Sequence, residues 1–195
     1  MNLREHEKRD DMKVWLSEDD VRQLVEAATS TEREIALSLG AKCGLRSHEV
    51  LSVSPDDVVD TDAGTMLTVQ EGKGGKYRET PIPDNLATRI RTVGDVRDAG
   101  DSEPLLSVTT TQTLRNWIKS AREAVAADTG DGRWHHVSFH DLRRTWATSL
   151  ASKDVDPLIV CDWGGWNDLE TFLEHYRGSY SPEAQRRERQ KVDWL

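Results

Sequence analysis

Apolar residues recur at helical spacing along almost the whole chain, and the period drops to two in one short stretch. Val21, Leu24, Val25 and Ala28 share a helical face after Ser17, which is suited to capping a helix, with Asp20 three positions on. A second helix is expected over about 32–42, ended by Gly44. A short one follows over 48–53, between Ser47 and Pro55. Residues 65–70 and 77–83 then read as strands, with the glycine-rich run 71–76 as the tip of a hairpin. Helical spacing returns over 85–93, over 111–127 and after a cap at Ser138. It continues between Asp156-Pro157 and Gly164-Gly165, and over 168–177 and 181–191. Stretches 94–103 and 130–137 read as loops. The fold class is therefore mainly α with a small antiparallel β-hairpin or sheet, an α+β arrangement. Residues 1–13 are polar without a period and read as an arm or linker remnant; no domain boundary stands out inside 14–178.

Leu, Val, Ile and Phe make up 41 of 195 residues, just enough for a highly charged chain to form a core. No apolar run approaches a membrane span and no basic-then-apolar start is present, which points to a cytoplasmic protein with no membrane partner. Cys43 and Cys161 are too few for a disulfide scaffold or a cysteine-based zinc site. The formal charge of -9 comes with acids in clusters such as Asp10-Asp11, Asp19-Asp20 and Asp56-Asp57. Such clusters form a solvated surface, and they also suit a protein adapted to concentrated salt, as in a halophile. The balance alone speaks against nucleic acid as a partner.

Four features carry chemistry. Arg46 follows Gly44-Leu45 and precedes the short helix capped at Ser47, a place where guanidinium and free N–H groups converge on an anion. Lys73 and Lys76 ride on the glycine-rich tip. Gly follows Lys73 where a nucleotide-binding loop requires Ser or Thr, so nucleotide binding is rejected. His140 and Arg143 lie three apart and share a helix face, a general acid/base beside an anion clamp, while Leu142 and Trp146 point to the core. Trp166 follows the Gly164-Gly165 break, and Tyr176 lies on the next helix. Each feature alone also fits an ordinary surface or core residue.

Taken in order, Gly-Leu-Arg46-x-x-Glu49, the Gly-Lys73-Gly hairpin, His140-Asp-Leu-Arg143, Gly-Trp166 and the late Tyr176 resemble the tyrosine recombinases of the phage integrase family. The resemblance covers about 13–180, with His140-Asp-Leu-Arg-Arg-Thr-Trp-Ala-Thr closest to the family pattern. Leu16-Ser17-Glu18-Asp19 resembles the start of the family's catalytic domain, and Asp57 stands where an acid usually follows the first arginine. The chain divides accordingly into an arm at 1–13, a catalytic domain at 14–180 and a helical tail at 181–195. The helical DNA-clamping domain usual in relatives would precede residue 1. Two expectations stay open there, a piece of a longer chain or a solitary domain.

The resemblance implies cleavage and rejoining of double-stranded DNA through a 3′-phosphotyrosyl link, with no metal, nucleotide or other cofactor. Arg46 and Arg143 would grip the phosphate oxygens. Lys73 would protonate the leaving 5′ oxygen, and His140 would take or share the phenolic proton. Trp166 would donate its N–H to a phosphate oxygen or buttress the site. Tyr176 would be the nucleophile, with Tyr180 as the alternative, since the step from Trp166 to Tyr176 is one residue longer than is usual. Glu49 would orient Arg46, and Lys76, Arg78 and Arg144 would contact DNA. The expected assembly is a homo-oligomer, a tetramer on DNA, or a monomer without it. Two other readings stay open: a DNA-binding module of this fold without catalysis, and nicking and rejoining in the manner of a type IB topoisomerase.

Overall fold

The computed structural model describes residues 1–5, 11–70, 77–97, 100–176, 186, 188–192 and 194, with backbone alone at 174–176. The hairpin tip with Lys73 and Lys76, Tyr180 and most of the 181–195 tail lie outside the described residues.

The centre of the molecule is α2 (Thr31–Lys42), in which seven successive residues from Ile35 to Ala41 are buried. A helix buried on every side must be apolar or small all round, and here Ser38 and Gly40 are the only interruptions. Gly40 has a packing reason: a Cβ there would press on the Phe139 ring at 3.0 Å, so its absence lets α6 (Phe139–Ser152) lie close against α2. Around this pair pack α1 (Glu18–Glu26), α4 (Asp84–Val96) and α5 (Thr111–Thr129), which bury Val21 and Leu24, Leu86 and Ile90, and Leu114 and Ile118. α1 begins at Ser17, whose side chain accepts from the Asp20 N–H while Asp20 accepts from the Ser17 N–H. At the start of α6, Asp141 likewise accepts the N–H of Ser138, and here the serine hydroxyl also donates to the carboxylate.

A three-stranded antiparallel sheet flanks the helices in the order β3 (Val58–Thr61), β4 (Gly64–Val69), β5 (Arg78–Pro81). The expected hairpin is β4–β5, with Val69 opposite Arg78. The strand β3 extends it beyond expectation. Only Val58 on that strand is buried, so its sequence shows no alternation from which to read it. Stretch 130–137 also departs from a plain loop, holding a 3-10 turn at Gly132–His136 that buries Trp134.

The stretch read as an arm contains β1 (Asn2–Glu5), paired antiparallel with β2 (Met12–Trp15). β2 is held by side chains that were invisible as partners in the sequence. Asp141 accepts the Val14 N–H at 3.0 Å, and Thr145, one turn further along α6, accepts the Leu16 N–H at 3.0 Å.

A second, smaller core joins Trp146 and Ala147 of α6 to Val160 and Cys161 of α7 (Pro157–Gly164) and Phe172 of α8 (Leu169–Tyr176). α6 thus contributes Phe139 and Leu142 to one core and Trp146 to the other. Among the described residues, no helix is long and apolar enough to cross a membrane.

Candidate active site

Where α2 ends, Gly44 takes φ +68 and turns the chain toward the short helix α3 (Ser47–Val50). A side chain at that position would run into the Trp146 ring, so glycine is required twice over, by conformation and by space. The turn sets Arg46 at the start of α3, and Glu49 reaches back from the same helix. Its Oε2 accepts the Arg46 backbone N–H at 2.7 Å, and its Oε1 accepts Arg46 Nη1 at 2.8 Å.

Arg143, 97 positions further along the chain and on α6, arrives at the same place. It is 3% exposed, and donates Nη1 to the Gly44 carbonyl at 2.5 Å and Nη2 to the Gly164 carbonyl at 2.6 Å. Arg46 donates Nη2 to the next carbonyl, Gly165, at 3.2 Å. The preceding carbonyl, Trp163, takes Arg78 Nε at 3.0 Å. Three successive carbonyls at the C-terminal end of α7 therefore receive three different arginines. These are groups a helix leaves unsatisfied, at its negative end, where cations are stabilised. Gly165 closes α7 with φ +63, and a side chain on Gly164 would collide with the Trp166 ring.

Trp166 underlies the cluster. The Arg143 guanidinium sits 4.0 Å from its ring centroid. The same indole lies nearly parallel to Trp146, with centroids 6.2 Å apart, and meets Phe172 edge-on at 5.0 Å. Phe172 is fully buried and fastens α8. Tyr176 follows it by four residues, which places position 176 on the same face of that helix.

An open pocket of about 210 Å³ is lined by Leu45, Arg46, Ser47, His48, Phe139, His140 and Arg143. Arg46, His140 and Arg143, expected to act together, thus border one space. His48 borders it too, a residue sequence reasoning passed over; its place between Arg46 and Glu49 was the available signal.

Two expected DNA contacts are corrected. Arg78 is buried, with Nη1 and Nη2 on the two oxygens of Glu49 at 2.9 and 2.8 Å. Arg144 is also buried, ion-paired with Asp141 and lying 5.4 Å from the Trp15 ring. Both guanidiniums are spent on interior carboxylates. Glu49 accordingly does more than orient Arg46: it binds two arginines.

The electrostatics follow from one carboxylate facing three guanidiniums. Burial would raise the Glu49 carboxyl, but the bonds and charges of Arg78 and Arg46 bring it down to about 2. Burial lowers the Arg143 guanidinium to about 9, helped by its neighbours Arg46 and Arg78 and opposed by Glu49, so it stays charged at neutral pH. Burial pushes Asp141 up despite Arg144 and the Ser138 and Val14 donors. Cys43 is driven to about 12 by burial, which makes its thiol inert. Among the described residues, no group of His, Cys, Asp and Glu is arranged to hold a metal ion.

Glu49 yields a pH prediction. Its folded value lies below the ordinary 4.5, so the unfolded chain takes up the proton first. The stability it contributes is complete above about 4.5 and is lost as pH falls through about 2. At neutral pH, Glu49→Gln is expected to cost about 3 kcal/mol in urea unfolding, since it breaks a buried ion pair. That difference from wild type should shrink steadily across the same window; a gap that stays constant down to pH 2 would contradict it.

The sequence pattern of the phage integrase family spans residues 14–182. Tyrosine recombinase XerA of Pyrococcus furiosus is 31% identical over 160 residues, covering 80% of this chain and 54% of its own. The chain thus spans about half the length of the curated relatives it matches. The crystal structure of a XerA recombinase superposes with a TM-score of 0.72 at 22% identity, over 91% of this chain and 65% of that one. The integrase of transposon Tn1549, solved in complex with a circular intermediate DNA, gives 0.67 at 14% identity, over 92% and 66%. The mainly helical fold with small antiparallel sheets is the fold of these enzymes.

Proposed function

The chain belongs to the phage integrase family, and from that membership we propose that its catalytic domain, residues 14–180, cuts and rejoins double-stranded DNA as a site-specific recombinase or integrase. The observation that carries the reading is the convergence of Arg46 and Arg143 beside His140 on one pocket. Two guanidiniums that meet in a chain of net charge -9 mark a place built for an anion.

A backbone phosphate suits that place by charge. The Tyr176 phenol oxygen attacks phosphorus, and the bond to the 5′ oxygen breaks. The phenolic proton passes to His140, and Lys73 supplies the proton that the leaving 5′ oxygen takes. Arg46 and Arg143 offset the charge that builds on the non-bridging oxygens. One phosphodiester replaces another, so the energy of the broken bond is kept and the reverse attack by a 5′ hydroxyl reseals DNA. Arg143 buttressed on Trp166 is held for that task. Recombination joins two duplexes, and it calls for several copies of the chain on DNA, a tetramer in this reading.

The test is incubation with duplexes nicked next to the cleavage position, so that the short leaving fragment with the 5′ hydroxyl diffuses away and the intermediate is trapped. Candidate sites are supplied as a library, at low and at high salt. A covalent adduct on Tyr176 is expected. DNA binding without an adduct at any salt concentration would make the chain a binding module and overturn the reading.

A further inference from the structure

Arg78 stands on β5 opposite Val69, two residues beyond the 71–76 segment, with its side chain 7% exposed. All three nitrogens of its guanidinium are engaged by groups of this chain, and those bonds say what it is for. It meets both oxygens of Glu49 in a fork-on-fork pair, 2.9 and 2.8 Å long, and its Nε holds the Trp163 carbonyl at 3.0 Å. Such a pair is directional as well as attractive, because both planes must coincide. The carboxylate oriented in this way is the one that grips Arg46 at its backbone N–H and at Nη1. Space is fitted to the same end: a Cβ on Gly165 would come within 2.8 Å of Arg78 Cδ.

We propose that Arg78 is a positioning residue, which fixes the plane of the Glu49 carboxylate, aims Arg46 at the pocket, and fastens the strand leaving residues 71–76 to the anion-binding arginines. The effect on rate rests on the strand-cleaving reading of the pocket, whereas the effect on Arg46 does not. Simple neutralisation of Glu49 would need only a cation, and lysine would serve. Aiming needs the planar fork, and lysine lacks it.

The test compares Arg78→Lys, Arg78→Met, Glu49→Gln and the double variant R78M/E49Q with wild type. The first readout is the nitrogen–proton spectrum of the arginine guanidiniums, with Arg46 assigned by its loss in Arg46→Lys. Arg78→Lys is expected to leave the Arg143 signals in place and to broaden or abolish those of Arg46. The second is the rate of adduct formation, expected to fall about ten- to a hundredfold in Arg78→Lys, the size of loss that a small misplacement brings. If Arg78 acts through Glu49, R78M/E49Q will be no slower than Glu49→Gln alone. Should Arg78→Met fail to fold because it strands the Glu49 charge, the double variant removes both charges and the lysine variant keeps both, so each still reports. Unchanged Arg46 signals in folded Arg78→Lys, or losses that multiply in the double variant, would overturn the proposal. Absence of any wild-type adduct would remove the proposed function instead, and the spectra would still decide the role of Arg78.

Discussion

Tyr176→Phe is expected to abolish the covalent protein–DNA adduct while leaving DNA binding as it is in wild type. Loss of one oxygen removes the nucleophile and nothing else, so the outcome is all or none. The chain has three tyrosines, and Tyr77, which precedes both His140 and Arg143, stands outside the family order. Tyr77 is exposed, and its hydroxyl donates to Glu79 at 2.6 Å, a bond that pushes the phenol's pKa up. Position 176 lies on α8, on the face that also bears Phe172, whose ring meets Trp166 beneath Arg143. The measurement is electrophoresis of labelled nicked DNA with peptide mapping. An adduct that persists in Tyr176→Phe and disappears in Tyr180→Phe would transfer the role to Tyr180.

Arg143→Ala is expected to slow adduct formation by about two to three orders of magnitude, the loss seen when one transition-state donor is removed. The change takes away a charge that the site retains at neutral pH despite deep burial. It also leaves the Gly44 and Gly164 carbonyls without their donor. Arg143→Lys keeps the charge and gives up the planar contact with Trp166, so its rate should fall between the two. Single-turnover rates with a melting curve for each variant separate chemistry from stability. A folded Arg143→Ala that cleaves within about tenfold of wild type would remove the residue from the chemistry.

Much of this site was legible in the linear order of residues, for a physical reason. Arg46 follows a glycine turn, and His140 and Arg143 share one helix face, so each pairing depends on local geometry that spacing encodes. Arg78 and Arg144 were misplaced because a charge on the page looks destined for solvent. The partner that keeps Arg78 inside, Glu49, stands 29 positions away. The ribbon at the N-terminal end failed to show for the same reason: β2 is buried against α6, 127 positions distant. Trp166 looked like either a donor or a core residue, and only the stack with Trp146 and the cation above it display its load. Apart from Arg144, whose carboxylate Asp141 is three residues away, what was hidden in each case was an interaction whose two halves are far apart in the chain.

The end of α7 has one more consequence. Arg46, Arg78 and Arg143 come from three separate elements, yet each is moored to one of three adjacent peptide groups. The spacing of their anchoring carbonyls is set by covalent geometry along a single stretch of backbone. That short run of chain is the common mooring of the cationic cluster, so a displacement of its three carbonyls would reach all three heads at once.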